Sequence, residues 1–430
     1  MGRRVPGVRA AHRLLRRWMP HPMCLALGFV GGVVAACSLF TAVAATDVFR
    51  ADTGTHSRLM TEAWDTIQRV YVDRSAVVPT QLTYGAIRGM VDALGDTGHS
   101  RFLTPVMRRI QREVTDGTLE GIGAEVQMVH DQVVVVTPLD GSPAQRADLR
   151  SGDIILKVNG EPASGLSLDQ VVGRILGPAN TEVELTVLTP SLERTRDVSL
   201  VRDRIRLHTV TWHRLPGTTV AHVRIAMFSK GTNEDLRTAL RTIRQDGTTA
   251  VILDLRNDPG GLFAEAVDVT GQFLASGDVV LEKDSVGDVT HIAVPAHDTA
   301  LALPMVGLIN GGTASGAEIV AGALKDAHRA RFVGEKTFGT GTVLEPFPLS
   351  DGSALLLATK EWLTPAGSLI WHKGIAPDVV VPLPPETRAL YPSAEEGMTA
   401  TTLRSSHDVQ ILRALDQLSH GTSRWMIPPS

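Results

Sequence analysis

The chain has 430 residues, 43% of them hydrophobic and 20% charged, with a formal net charge of −4. That length and apolar content suit two to three domains with sizeable cores, and the charge balance gives no argument for nucleic acid as a partner. The 2 cysteines, Cys24 and Cys37, share one N-terminal apolar stretch, which leaves the rest of the chain without disulfides or thiolate metal sites.

The first 17 residues hold six Arg and no acid, and Met23 to Ala45 runs 23 residues without a charge. About 20 apolar residues span a bilayer, and the arginine cluster is expected to stay in the cytoplasm. Residues 1–50 are therefore expected to be a signal or anchor in a bacterial inner membrane, with the body in the periplasm. Two other readings stand beside it. Cleavage at Ala42-Val43-Ala44 would give a soluble periplasmic protein. Val34-Ala35-Ala36-Cys37 looks like a bacterial lipobox, which would make Cys37 a lipid anchor.

Residues 51–116 are predicted to be a helical segment. Met60, Trp64, Ile67 and Tyr71 fall on one face at helical spacing. Gly85 to Leu94 is a second amphipathic piece, and Asp96-Thr97-Gly98-His99-Ser100 breaks the pattern. From 117 to 203 short β runs take over: Ala124–Val129, Val133–Pro138, Ile154–Val158 and Glu182–Leu188. Between them lie Gly141-Ser142-Pro143-Ala144, Gly152-Asp153-Ile154-Ile155 and the turn Val158-Asn159-Gly160, with a helix at Leu168–Leu176. This order resembles a PDZ domain. Residues 204–382 alternate strands (Val220–Ile225, Ala250–Leu255, Val306–Ile309) with helices (Asn233–Arg244, Leu262–Leu274, Ser315–Asp326), the pattern of a layered α/β core. Late strands are expected at Ala354–Ala358 and Val379–Val381. Residues 383–430 are expected to be a C-terminal tail carrying one amphipathic helix, Asp408–Leu418.

Two stretches of the core carry chemistry. In the first, a strand ends in Gly311-Gly312, Ser315 opens a helix, and the loop Thr337-Phe338-Gly339-Thr340-Gly341 follows. A serine there sits beside backbone N–H groups that a helix start leaves unpaired, and such donors stabilise an oxyanion. The bland reading of Ser315 alone is an N-cap. In the second, Asp254-Leu255-Arg256-Asn257-Asp258-Pro259-Gly260-Gly261 directly follows a strand, and paired glycines let backbone amides approach a ligand.

Together these stretches resemble the C-terminal (tail-specific) processing peptidases, across roughly residues 57–382. The resemblance implies a mixed α/β molecule: an N-terminal helical segment, a PDZ domain, and a crotonase-like, ClpP-like serine protease core that hydrolyses peptide bonds through an acyl-enzyme. It implies Ser315 as nucleophile, Gly260, Gly261 and Gly316 as oxyanion donors, and supporting roles for Glu318, Asp326 and Thr337. In the PDZ-like part it implies that Gly121, Ile122, Gly123 and Ala124 present amides to the carboxylate of polypeptide C-termini, with the peptide added as a strand. It implies no metal or nucleotide, and it leaves room for a homo-oligomer or a partner protein.

The family loop reads Thr-Phe-Gly-Lys-Gly, with Lys as general base. Here Thr340 stands in place of that Lys, and Leu344 in place of the Gln that orients it. Thr has no usable basicity near neutral pH, so two expectations stand: a serine endopeptidase that draws its base from an unusual residue and is weakly active, or a silenced homologue that binds protein C-termini as a scaffold or regulator. Lys336, Lys325 and Lys360 are the other candidates for a base. His99, His208, His213, His222 and His372 show no metal spacing, and nothing in the sequence places a histidine near Ser315.

Overall fold

The computed structural model describes residues 54–421, apart from 97–98, 130–131, 139–141, 151, 167, 191–192, 297–300, 385–386 and 388. The arginine cluster, the apolar run, Cys24 and Cys37 lie outside the described residues. Among the described residues, no helix is long and apolar enough to cross a membrane.

The chain divides into two units, 1–83 and 84–430. Helix α1 spans 54–70, a short 3-10 turn follows at Arg74–Ala76, and helix α2 is Pro79–Asp92. The expected helical run is interrupted because the Asp73 carboxylate accepts the Ser75 N–H at 2.9 Å and Pro79 opens the next helix, where its missing N–H costs nothing.

In the second unit, β1 (Arg101–Leu103) and α3 (Pro105–Thr115) lead to β2 (Thr118–Gly121). The PDZ-like part comprises β3 (Ala124–Val129), β4 (Gln132–Pro138), α4 (Pro143–Arg146), β5 (Ile154–Val158), β6 (Glu161–Pro162), α5 (Leu168–Ile175), β7 (Glu182–Thr189) and β8 (Arg194–Val201). Its sheet has the order β3-β4-β5-β7-β8 with β6 on β5, so β3 is an outer strand. On β7, Val183, Leu185 and Val187 point inward while Glu182 and Glu184 face water, the period-two alternation of a half-buried strand. Strand β9 (Asp203–Arg206) returns to pair with β2.

The α/β core follows as β10 (Val210–Arg214), β11 (Val220–Ile225), α6 (Thr232–Gln245), β12 (Ala250–Asp254), α7 (Phe263–Gly271), β13 (Asp278–Lys283), β14 (Val289–Ala293), β15 (Met305–Ile309), α8 (Gly316–Asp326), β16 (Arg331–Gly334), β17 (Thr342–Pro348), β18 (Ala354–Leu363) and β19 (Val379–Val380). Helices α9 (Pro392–Glu395), α10 (Ala400–Arg404) and α11 (Val409–Gly421) close the chain. The central sheet runs β10-β11-β12-β15-β16-β19, parallel from β11 onward. Every residue of β12 and β15 is buried, because a parallel sheet must be covered on both faces. Val251 and Leu253 pack with α6, α7 and α8, whereas Ile252 packs with Leu403, Ile411, Ala414 and Leu418. The segment expected as a tail thus supplies one face of the core. Likewise β1, expected within the helical segment, pairs with β18 in a second sheet that also holds β17, β13 and β14.

This topology places the site. Asp254 pairs with Leu308, so the turns that leave β12 and β15 emerge side by side at the carboxyl ends of neighbouring parallel strands, the usual place for a ligand in an open α/β sheet.

Candidate active site

Ser315 sits between β15 and α8 with φ +53° and ψ −119°. A side chain rarely adopts that conformation, and it costs roughly 1–3 kcal/mol unless the surroundings impose it. Here they do. The Ala314 N–H donates to the Asp258 carbonyl at 2.9 Å, and the Thr313 hydroxyl donates to the Leu255 carbonyl at 2.7 Å. Asn257 and Asn310 lock the two turns together: the Asn257 N–H donates to Asn310 Oδ1, and Asn310 Nδ2 donates to Asn257 Oδ1, both at 2.9 Å.

The glycine pair of the second stretch lies directly against Ser315. Gly260 has φ +88°, and a Cβ there would fall 2.6 Å from both the Gly316 nitrogen and Ser315 Cβ. Gly261 has φ +142°, and a Cβ there would strike the Phe228 carbonyl. Among the described residues, neither the Gly261 nor the Gly316 N–H has a hydrogen-bond acceptor. The Gly260 N–H is already committed, donating to Asp258 Oδ1 at 2.8 Å. Of the three expected oxyanion donors, Gly261 and Gly316 are therefore free, whereas the expectation for Gly260 is corrected because its N–H is held by Asp258.

Glu318 is fully buried and organises the loop opposite. It accepts the Ser315 N–H at 3.0 Å, the Thr337 hydroxyl at 2.5 Å, the Gly339 N–H at 2.7 Å and the Thr340 N–H at 2.9 Å. Burial pushes its carboxyl above the usual range, and the four donors pull against that. Thr340 is thus held beside Ser315, since both amides share Glu318 Oε2. Thr337 also takes the Ile375 N–H at 2.7 Å. Leu344 lies on β17, where the register shifts against β18.

The expected supporting role of Asp326 does not hold at this site. Asp326 ends α8, eleven residues after Ser315, or ~16 Å along the helix at 1.5 Å per residue. It accepts the Ala366 N–H there and stabilises a distant turn. The lysines are also ill placed: Lys336 is exposed, Lys325 pairs with Asp378, and Lys360 pairs with Glu282, whose hydrogen bond holds the ammonium in its charged form.

The sequence reading missed a histidine. His99, 3% exposed, lies 3.1 Å from Asp96 and packs edge-on against Phe338, with His372 stacked on its other contact. The His372 N–H donates to the Gly339 carbonyl, which ties this cluster to the Thr340 loop. Trp371 Nε1 donates to Asp96 Oδ1 at 3.3 Å and lies 3.2 Å from His99 Nδ1, and Ser100 donates to Asp96 Oδ2 twice, at 3.0 and 2.6 Å. Burial lowers the His99 pKa, outweighing the pull of Asp96, so the imidazole is neutral at neutral pH. An Asp-x-x-His pair in a helix-breaking turn was the available signal.

The PDZ loop is built as a backbone cradle. Ile122 is buried, its carbonyl takes the Ala144 N–H, and Gly123 has φ +71° with Ser142 and Ile205 filling the space a Cβ would need. A cavity of about 510 Å³ runs from α5 to the Gly260–Gly261 turn, lined by Met107, Ile110, Leu168, Val172, Phe228 and Gly261.

A family model for peptidase family S41 matches residues 219–381, and one for the PDZ domain matches residues 134–189. The chain is 35% identical over 364 residues to the carboxy-terminal-processing protease of Bartonella bacilliformis, covering 83% of this chain and 82% of that protein. It is 39% identical over 306 residues to a "Probable CtpA-like serine protease" of Staphylococcus aureus (strain MRSA252), covering 71% of this chain but only 61% of that relative's length. Among solved structures it is similar to the photosystem II D1 C-terminal processing protease, with 33% identity, 76% of this chain and 94% of that chain covered, and a TM-score of 0.49. It is also similar to the PDZ domain of a carboxy-terminal protease from Vibrio cholerae in complex with peptide, with 39% identity, 21% and 99% covered, and a TM-score of 0.20. With its PDZ domain and S41 core, the chain belongs to peptidase family S41, among the carboxy-terminal-processing proteases.

Proposed function

We propose that the chain is a C-terminal processing serine endopeptidase of the cell envelope, tethered through Met23–Ala45 with its body in the periplasm. A polypeptide is held by its free C-terminus at the Gly121–Ala124 loop, as an added strand on the outer edge of β3. The cavity between α3, α5 and the oxyanion turn supports a path from that loop toward Ser315. The observation that carries the reading is Ser315 itself: a strained backbone at a helix start, beside two amides with no acceptor.

The base is proposed to be His99, oriented by Asp96. As Ser315 Oγ attacks the scissile carbonyl carbon, its proton passes to the imidazole, and the oxyanion meets the Gly261 and Gly316 N–H groups. The imidazolium then protonates the leaving amine, and water releases the acyl group by the same route.

A second reading is a silenced, peptide-binding homologue, favoured by Thr340 and Leu344 in the places of the base and its orienter. Digestion of casein and labelling by a fluorophosphonate, each beside Ser315→Ala, separate the two. Ser315-dependent cleavage supports the peptidase, and labelling no greater than that of Ser315→Ala supports the silenced protein.

A further inference from the structure

Among the buried acids that the peptidase mechanism leaves unused, Asp258 lies nearest in sequence to the Gly260–Gly261 turn. Asp258 is fully buried, directly behind the oxyanion turn. Its Oδ1 accepts the Gly260 N–H at 2.8 Å, and its carbonyl accepts the Ala314 N–H, one residue before Ser315. Its Oδ2 has no partner among the described residues. An ionised carboxylate left that way in an apolar interior is strongly disfavoured.

The charges around it do not supply a counter-ion. Arg224 on β11 is the cation that acts on Asp258, but its guanidinium donates to the Arg256 carbonyl and stacks on the Tyr391 ring, 3.5 Å from the centroid. Asp254 on β12 is balanced by Arg256 and His222. Arg256 is shared with Asp408, and His222 with Glu395, both from the C-terminal segment. Burial accordingly pushes Asp258 well above the usual carboxylate range, with the Gly260 amide and Arg224 pulling back and Asp254 adding to the rise.

We propose that Asp258 works as a neutral carboxylic acid that positions the oxyanion turn: it takes the Gly260 N–H so that the Gly261 N–H is left free beside Ser315. Ionisation places a negative charge behind the amides that must receive a developing oxyanion, so the reaction slows as pH rises through the Asp258 pKa. This rests on the reading of Ser315 as nucleophile. The acid limb of His99 lies on the other side of the profile, so the two titrations are separable.

The test is the rate of Ser315 labelling by a fluorophosphonate from pH 5 to 10, in full-length protein. Asp258→Ala is expected to slow labelling roughly tenfold or more at every pH, since one misplaced oxyanion donor costs on the order of 10²–10³. Asp258→Asn keeps the acceptor and cannot ionise, so it is expected to restore the rate and remove the alkaline limb. Identical alkaline limbs in the wild type and Asp258→Asn would overturn the proposal. Thermal unfolding against pH gives a second readout. A raised folded pKa means stability is complete at low pH and falls as pH rises from the unfolded value toward the folded one. The wild type should therefore lose Tm relative to Asp258→Asn as pH rises above ~4. A pH-independent Tm difference would also overturn it. If no Ser315-dependent labelling occurs at any pH, the nucleophile reading fails, and the Tm comparison alone decides whether Asp258 is held neutral.

Discussion

Replacing His99 by Ala tests the proposed chemistry most directly. A positioned general base contributes ~10²–10⁴ in rate, which is ~2.7–5.5 kcal/mol at about 1.36 kcal/mol per tenfold. The lower half of that range fits this site: Asp96 holds the imidazole and is itself fixed by Ser100 and Trp371, but the oxyanion amides survive the substitution. His99→Ala is therefore expected to lower kcat/KM about 10²–10³-fold on a free-acid peptide, read as Ser315-dependent release of its C-terminal fragment. The wild-type profile should fall as pH falls through the His99 pKa, because protonation removes the base. Burial places that limb below the ordinary histidine value of ~6.5. Thr340→Lys in the same background should restore turnover with an alkaline optimum. Position 340 is only 7% exposed and shares Glu318 with Ser315, so burial favours the neutral amine there. Unchanged kcat/KM and an unchanged acid limb in His99→Ala would refute the assignment. A wild type without Ser315-dependent turnover, made active by Thr340→Lys with Leu344→Gln, would establish the silenced reading instead.

Arg256→Ala should cost ~3–5 kcal/mol, because it leaves Asp408 as a buried charge without its cation and Asp254 with His222 alone; urea unfolding measures it, and a loss under ~1 kcal/mol would show the network to be dispensable. Calorimetry with a free-acid peptide and its C-terminal amide should give tighter binding of the acid, and Gly123→Ala should abolish the difference, since φ +71° and the Ser142 and Ile205 contacts leave no room for a Cβ; equal affinities in the wild type would remove the carboxylate argument. Alkaline phosphatase fused after residue 60 should be active if the body is exported, and an inactive fusion would place it in the cytoplasm.

What could be read from the sequence was whatever is encoded locally. The turn signals of the PDZ domain, the strand endings at Asp254 and Ile309, and the glycines at 260 and 261 each impose backbone geometry within a few residues. What escaped were contacts between distant segments. Nothing in Arg101–Leu103 announces a partner at Ala354–Leu356, and nothing in 383–421 announces that its apolar residues cover a sheet built from Ile252 and Leu308. Glu318 shows the boundary between the two cases. Its place three residues after Ser315 is a capping signal readable from sequence, yet its other three donors come from a loop some twenty residues on. The same carboxylate that caps the helix therefore sets the distance between Ser315 and position 340. His99 escaped for the same reason, since the sequence does not show that folding sets its ring against Phe338 of the loop that carries Thr340. Loss of the lysine at 340 leaves this scaffold standing, because Glu318 grips the Thr340 backbone rather than its side chain. Whether the chain cleaves peptides accordingly turns on whether any group can take the Ser315 proton, which the His99→Ala and Thr340→Lys variants decide.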